Sequence, residues 1–249
     1  MNTGEEKTKQ EESNELKTAL EIYLKTEKKK ERKSIMKINK NEMIITIDSE
    51  LGSNGDKIAD ELSQILGIPC YGEEILDRAS EISGIPYKLM HRYDGRTVHA
   101  AYDLLVDSDE PIKIAPAADF VTAQVFAARQ LASAAPCILV DRHANAALAG
   151  NKNHISIFIH ADFEDRAKVF ASQKGLSETA AVRSLKKADR AYGNYYRGNN
   201  KGWGDAGKYD MTVNASDADT AAVAEMIVSF LETMTGMTLR QEERQKKVG

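Results

Sequence analysis

A short glycine-containing segment between a predicted strand and a predicted helix is the first place where this chain could do chemistry. The segment consists of Gly52, Ser53, Asn54 and Gly55. Glycines at such a turn let backbone N–H groups point toward phosphate oxygens, and the N-terminus of the following helix adds a positive partial charge. The regular GxxxxGK[ST] motif is absent, because Gly55 stands at the lysine position and Asp56 at the serine or threonine position. The segment therefore indicates either a modified phosphate-binding loop or an ordinary turn between strand and helix.

Arginine side chains that suit phosphate binding occur throughout the C-terminal half of the chain. They are Arg129, Arg142, Arg166, Arg183, Arg190 and Arg197. Arg142 follows the apolar run 137–141, and residues directly after the strands of an open parallel sheet face the crevice in which ligands bind. Because a guanidinium group makes paired, charge-assisted hydrogen bonds with phosphate, Arg142 is well placed as a ligand. A solvated helix face is the simpler interpretation of Arg166, Arg183 and Arg190.

The only tryptophan of the chain, Trp203, lies in a glycine-rich stretch at 193–208 that also contains basic residues. An aromatic face attracts both nucleobases and guanidinium groups. Trp203 could therefore stack on a base or clamp a lid shut. It could equally be a hydrophobic anchor that fixes the stretch to the core.

Five apolar runs alternate with helical patterns from residue 43 onward, and these elements must position the side chains described above. Strands are predicted at 43–48, 68–71, 137–141, 154–160 and 209–214. Helices are predicted through 66 and at 73–83, 86–93, 116–135, 144–149, 163–174, 177–192 and 217–234. Such alternation predicts the α/β class, with a five-stranded parallel sheet covered by helices on both faces. The segments 92–115 and 193–208 interrupt the pattern and are candidate lids.

The composition of the 249-residue chain is that of a globular domain, with 42% apolar and 29% charged residues. Its net charge of −4 offers no general attraction to nucleic acid. Cys70 and Cys137 lack metal-binding spacing and are interpreted as reduced core residues. The apolar runs are too short for a membrane span and the first residues are highly charged, so we expect a cytoplasmic protein that binds neither membrane nor nucleic acid.

Residues 1–40 form a charged extension with 11 basic and 8 acidic side chains. An apolar stripe at helical spacing runs along it, formed by Leu16, Ala19, Leu20, Tyr23 and Leu24. The stripe could dock on the domain or join two copies of the chain as a homo-oligomer, and a partly frayed, solvated helix is the alternative. We therefore divide the chain into this extension, a domain at 41–240 and a polar tail at 241–249.

Seven groups of residues form an ordered set along the chain. They are Ile45-Thr46-Ile47 with Gly52-Ser53-Asn54-Gly55 and Ile58-Ala59; Leu66-Gly67-Ile68-Pro69 with Tyr71; Gln124 before Pro136-Cys137-Ile138-Leu139-Val140; Arg142 with Ala144; Phe158-Ile159 with Ala161 and Arg166; Asp189 with Tyr195-Tyr196; and Trp203-Gly204-Asp205 through Tyr209-Asp210 to Asn214. In this order the set resembles the cytidylate kinase-like proteins, a branch of the nucleoside monophosphate kinases within the P-loop NTPases. The resemblance covers roughly four fifths of the chain.

The resemblance implies phosphoryl transfer from ATP, with Mg²⁺, to a nucleoside monophosphate such as CMP. Positioning and an electrostatic cradle do most of this chemistry. The ATP phosphates would be held at Gly52, Ser53, Asn54, Gly55, Asp56 and Lys57. The acceptor would be held by Arg129, Arg142, Arg197 and Trp203. Charge for the transferring group would come from Arg142, Arg166 and Arg190, and Asp48 would position the acceptor or the metal.

Three further positions depart from the family pattern. Glu50 and Tyr192 stand where the family commonly has arginine, and Asp141 stands where it has glycine. Two cations that would face phosphate are thereby lost, and the carboxylates at 50, 56 and 141 add repulsion. An arginine directed at the transferring group contributes about 10³ to 10⁵ in rate. The alternative function is therefore a catalytically weakened nucleotide-binding relative that serves as a regulatory or interaction module.

Overall fold

The computed structural model describes residues 38–92, 117–199 and 202–240, which form a five-stranded, all-parallel sheet. Its strands are β1 (Ile44–Ser49), β2 (Cys70–Tyr71), β3 (Cys137–Val140), β4 (His154–His160) and β5 (Met211–Asn214). Their order across the sheet is β2-β3-β1-β4-β5, so that β1 lies in the centre. Each parallel neighbour must be reached by a crossover, and the helices supply these crossovers.

Eight helices connect and cover the strands. They are α1 (Gly55–Leu66), α2 (Glu74–Ser83), α3 (Tyr87–Arg92), α4 (Ala117–Ala134), α5 (Ala144–Ala147), α6 (Phe163–Lys174), α7 (Glu178–Asn199) and α8 (Thr220–Thr235). Single turns of 3-10 helix occur at Lys40–Glu42 and Ala206–Lys208. This count refers to the described residues only.

The two faces of the sheet carry separate hydrophobic cores because successive strand side chains point to opposite sides. On one face Ile45 and Ile47 join a core to which α1 and α8 contribute. On the other face Ile44 and Leu139 join a core to which α2 and α4 contribute. Helices therefore cover both faces, as the sequence predicts.

All five predicted strands are confirmed; the bounds of β4 agree with the prediction and those of the other four differ by at most two residues. The predicted helix end at 192 is wrong, because α7 continues through Gly193 and Gly198 to Asn199. Glycine weakens a helix without necessarily ending it. Residues 1–37 of the extension predicted at 1–40, the segment 93–116 and the tail from 241 lie outside the described residues.

The two cysteines are free thiols, as the sequence indicates. Cys70 is opposite Ile138 in the β2–β3 register, so Cys137 points to the other face of the sheet. Burial raises the pKa of each thiol to about 12. Formation of the reactive thiolate is therefore disfavoured at both positions, although only Cys137 is a fully buried core residue and Cys70 is half-buried.

Candidate functional site

The glycine loop, defined here as residues 50–54, leads from the end of β1 into α1. Gly52 and Asn54 adopt left-handed backbone conformations, with φ of 84° and 61°. A Cβ atom at Gly52 would lie 2.6 Å from the carbonyl oxygen of Arg166, so the loop touches α6 at a point where only glycine fits. Asn54 is the N-cap of α1, yet its side chain makes no capping hydrogen bond. The N-terminal amides of α1 therefore keep the anion-binding character of a helix N-terminus.

The position of the motif lysine is closed in this chain. A Cβ atom at Gly55 would lie 2.4 Å from both Cβ and Oγ of Ser49, so even an alanine does not fit. Ser49 is held in place by the buried carboxylate of Asp141, which accepts hydrogen bonds from the Ser49 amide at 3.0 Å and its hydroxyl at 3.4 Å. The three residues are therefore linked by contact: Asp141 holds Ser49 in place, and Ser49 leaves room only for glycine at position 55.

A cavity of about 260 Å³ adjoins the glycine loop. It is lined by residues of the loop, of α6 and of the segment after β5, namely Gly52, Ser53, Asn54, Ala161, Asp165, Lys168, Val169, Ala215, Asp217 and Ala218. Lys168 is paired with Asp165 at 2.9 Å. The cavity therefore combines a backbone-lined side, an apolar wall and one ion pair next to the N-terminus of α1.

Arg166 forms the densest polar cluster near the loop. Its guanidinium group is paired with Asp189 through two hydrogen bonds of 3.0 and 2.9 Å, and its Nε lies 3.3 Å from Oε2 of Glu50. Its Nη1 also donates to the carbonyl of Leu51 at 3.0 Å. Burial lowers the pKa of Arg166, but hydrogen bonding to Asp189 and the charges of Glu50 and Asp189 outweigh burial and raise it overall. Arg166 is therefore a permanently charged residue with protein partners, and the predicted solvated face is wrong.

Arg142 lies in an unusual turn after β3. Asp141, Arg142 and His143 are consecutive left-handed residues, with φ of 57°, 53° and 61°. Nη1 of Arg142 donates to the carbonyl of Val140 at 3.3 Å and lies 3.6 Å from a Cβ built on Gly72. The guanidinium group is thus at the carboxyl ends of β2 and β3, as the sequence predicts, but Arg142 is only 2% exposed. Burial lowers the pKa of the neighbouring His143 to about 4.

Asp48 and Trp203 are connected through an aromatic cluster at the carboxyl end of β4. Asp48 is buried, and its Oδ2 accepts a 2.7 Å hydrogen bond from the hydroxyl of Tyr209. Burial, together with the charge of Asp48, raises the pKa of Tyr209, which stays protonated. Phe158 packs against Tyr209 and meets Trp203 edge to face, with ring centroids 5.0 and 5.5 Å apart. This geometry agrees with the interpretation of Trp203 as a hydrophobic anchor.

Several predicted site residues are not brought to the glycine loop. Arg129 is an exposed residue whose Nε donates to the carbonyl of Ala147 at 2.8 Å, and it lines a separate cavity of about 320 Å³. Arg190 is exposed on α7. Asp56 and Lys57, in contrast, follow the loop directly on the first turn of α1, where both are exposed. Arg197 lies on α7, but its side chain is outside the described part of the structure.

Sequence reasoning missed the pairing of Glu50 with Arg166. The pairing depends on β1 and β4 being neighbours, with Ser49 opposite Ile159, and no local pattern in the sequence encodes this strand order. Arg166 also lies beyond the end of β4 at His160, on the first turn of α6, so its approach to Glu50 depends on the turn between them. The bonds from Ser49 to Asp141 and from Tyr209 to Asp48 were also missed.

The described residues offer few side chains that could act as metal ligands. The described residues contain no group of three or more His, Cys, Asp or Glu side chains that could hold a metal ion. Mg²⁺ is usually bound by one or two carboxylates together with substrate phosphates, so the residues present fit a metal that arrives with a nucleotide. Asp48 is a candidate carboxylate, although one of its oxygens already binds Tyr209.

None of the helices in the described ranges combines the length and apolar character needed to cross a bilayer. No protein with a curated description matches the chain. Among solved structures, an uncharacterized protein from Eubacterium ventriosum is similar at 24% identity and a TM-score of 0.59, covering 77% of this chain and 98% of its own. This likeness shows the fold.

Two enzymes of known activity are more distant in structure. A shikimate kinase from Bacteroides thetaiotaomicron is 12% identical with a TM-score of 0.46, covering 76% of this chain and 98% of its own. A deoxyadenosine kinase from M. mycoides is 15% identical with a TM-score of 0.42, covering 76% and 99%. The family model of the cytidylate kinase-like family matches residues 44–217, from β1 to the residues after β5. Because this match spans most of the chain and includes the glycine loop, Arg142 and Arg166, the chain belongs to the cytidylate kinase-like family.

Proposed function

We propose that this protein transfers a phosphoryl group from ATP to a nucleoside monophosphate, with CMP or dCMP as the preferred acceptor. The observation that carries the proposal is the glycine loop at the N-terminus of α1, next to a cavity of about 260 Å³, in a member of a kinase-like family. Backbone amides and a helix dipole favour bound phosphate without any lysine.

The residues around the loop have distinct roles in this proposal. The amides of Gly52 to Gly55 would hold the ATP phosphates, with Asp56 and Lys57 at the entrance. Mg²⁺ would supply neutralisation of the phosphate charge, and Asp48 is the carboxylate that would hold it. Arg142 would bind the acceptor phosphate at the carboxyl ends of β2 and β3.

A coupled assay of ADP formation with Mg²⁺ tests the proposal across CMP, dCMP, UMP and AMP. We expect turnover with the cytidine nucleotides to exceed turnover with UMP and AMP. Arg142→Ala should weaken acceptor binding by roughly 1.5 to 3 kcal/mol, because one charge-assisted pair is lost. Arg183→Ala, at an exposed position of α7, is the matched control. Unchanged acceptor binding in a folded Arg142→Ala protein would contradict the assignment.

A second candidate function is nucleotide binding with weakened catalysis. Two observations favour it: the lysine position is closed by Ser49, and Arg166 already has carboxylate partners. Calorimetric titration with ATP·Mg²⁺ separates the candidates. Binding together with ADP formation supports the kinase, and binding without ADP formation supports the second candidate. A protein that binds no nucleotide at millimolar concentration would rule out both.

A further inference from the structure

Glu50 places a carboxylate against a cation that the glycine loop itself contacts. Its Oε2 lies 3.3 Å from Nε of Arg166, and the same oxygen accepts a hydrogen bond from the amide of Ala161 at 3.3 Å. The Glu50 side chain is 30% exposed, whereas that of Arg166 is only 7% exposed. Glu50 is therefore the more accessible partner of the pair and covers one edge of the guanidinium group.

The guanidinium group lies beside the part of the loop where phosphates would bind. Its Nη1 donates to the carbonyl of Leu51, which directly precedes the cavity-lining Gly52. Asp189 holds the opposite edge through two hydrogen bonds. One cation is thus shared by two carboxylates, and the cluster carries a net negative charge beside the glycine loop.

We propose that Glu50 is an affinity-determining residue, an internal anion whose ion pair with Arg166 competes with the phosphates of the nucleotide. The inference rests on the proposed function, because it needs a nucleotide at the loop. A phosphate oxygen and a carboxylate oxygen satisfy a guanidinium edge in the same way, so the bound phosphate must displace Glu50 to reach Arg166. Removing the internal anion then strengthens nucleotide binding.

Simple repulsion between Glu50 and phosphate also predicts tighter binding when the charge is removed, so the test must separate the two causes. Glu50→Gln removes the charge and keeps the length of the side chain. Glu50→Asp keeps the charge but shortens the side chain, so that it no longer reaches Nε. Competition for Arg166 predicts a gain in both variants, whereas repulsion predicts a gain only in Glu50→Gln.

The experiment is calorimetric titration of the full chain with ATP·Mg²⁺ and, separately, with tripolyphosphate, which carries the charge without a base. We expect both Glu50 variants to bind each probe roughly tenfold more tightly than the natural chain. Glu164→Gln is the matched control, because it removes an exposed carboxylate two residues from Arg166 on the same helix. It should change affinity by less than twofold.

A double-mutant cycle with Arg166→Met completes the test, with unfolding midpoints measured for every variant. If Glu50 acts through Arg166, the gain from Glu50→Gln disappears in the Arg166→Met background. An equal gain in both backgrounds, or no gain in Glu50→Asp, would overturn the inference while leaving the proposed function intact. Should Arg166→Met not fold, the Glu50→Asp result decides alone. Failure of every variant to bind either probe would overturn both proposals.

Discussion

Ser49 shows how one small side chain determines what a phosphate-binding loop can contain. Its Cβ and Oγ fill the space that a side chain at position 55 would need, and Asp141 fixes it from the turn that follows β3. The glycine at 55 is therefore required by packing, independently of any ligand. Any phosphate at this loop must be held by backbone amides and not by a lysine at this position.

Gly55→Ala is expected to destabilise the fold by about 1 to 3 kcal/mol, because the new methyl group overlaps Ser49. Denaturant unfolding measures the loss. Gly72→Ala is the matched control, since its Cβ would meet Arg142 Nη1 at an ordinary 3.6 Å. Equal effects of the two substitutions would show that the Ser49 contact is not the cause.

The sequence predicts the location of some site residues but not the contacts of others. The location of Arg142 follows from its place after an apolar run, because strand ends in a parallel sheet share one edge. The partners of Arg166 do not follow in this way. The contact with Leu51 joins positions 115 residues apart, and no local periodicity encodes such a pairing.

The turn from β3 to α5 is the element with the most unusual backbone. Three successive non-glycine residues in the left-handed region each cost about 1 to 2 kcal/mol, so surrounding contacts must hold the turn. Asp141 supplies two of these contacts through Ser49. The backbone of this turn is thus strained, and its contacts fix the position of the end of β1 relative to the end of β3.

Replacing Asp141 separates the strain from the hydrogen bonds. Asp141→Ala and Asp141→Gly both lose the bonds to Ser49, but only glycine accepts φ of 57° without strain. We expect the glycine variant to be more stable than the alanine variant by about 1 kcal/mol in urea unfolding. An alanine variant that is equally or more stable would show that the turn is unstrained.

The C-terminal end of α7 could not be predicted from the sequence. Gly193 and Gly198 suggested a loop, but glycine costs a helix only about 1 kcal/mol relative to alanine. The helix continues to Asn199 despite this cost. A free-energy difference of about 1 kcal/mol can decide where a helix ends. It does not decide whether a long amphipathic helix forms.

At the scale of the whole molecule, the predicted class, strand number and strand direction are confirmed. The order of the strands was not predicted, because it depends on which crossovers pass over which face. The alternation of hydrophobic runs with helical segments determines that a parallel sheet forms. The direction in which each crossover passes over the sheet determines that β1 is its central strand. This central position is what brings the glycine loop between Asp141 and Arg166.

Two buried histidines make the stability of the whole domain depend on pH. Burial lowers the pKa of His143 and of His154 to about 4, from 6.5 in an unfolded chain, although Asp210 partly opposes the shift at His154. Between pH 6.5 and 4 the unfolded state binds more protons than the folded state. The free energy of unfolding should therefore be largest above pH 6.5 and fall as the pH drops through this window.

Denaturant unfolding at pH 7, 6 and 5 measures this dependence. His143→Gln should reduce the pH slope, because one of the two groups no longer titrates. Identical slopes in the natural chain and the variant would mean that other groups, such as carboxylates, cause the acid instability.

The central position of β1 has a consequence for biosynthesis. Ile44 pairs with Cys137 on one side and with His154 on the other, so both neighbours of the strand are encoded far downstream. A growing chain that has emerged from the ribosome only as far as α4 therefore carries an apolar Ile-Ile-Thr-Ile segment with no partner strand. Non-local pairing of this kind is slow and leaves hydrophobic edges open to other chains. Translation must therefore pass β4 before both edges of the segment are paired.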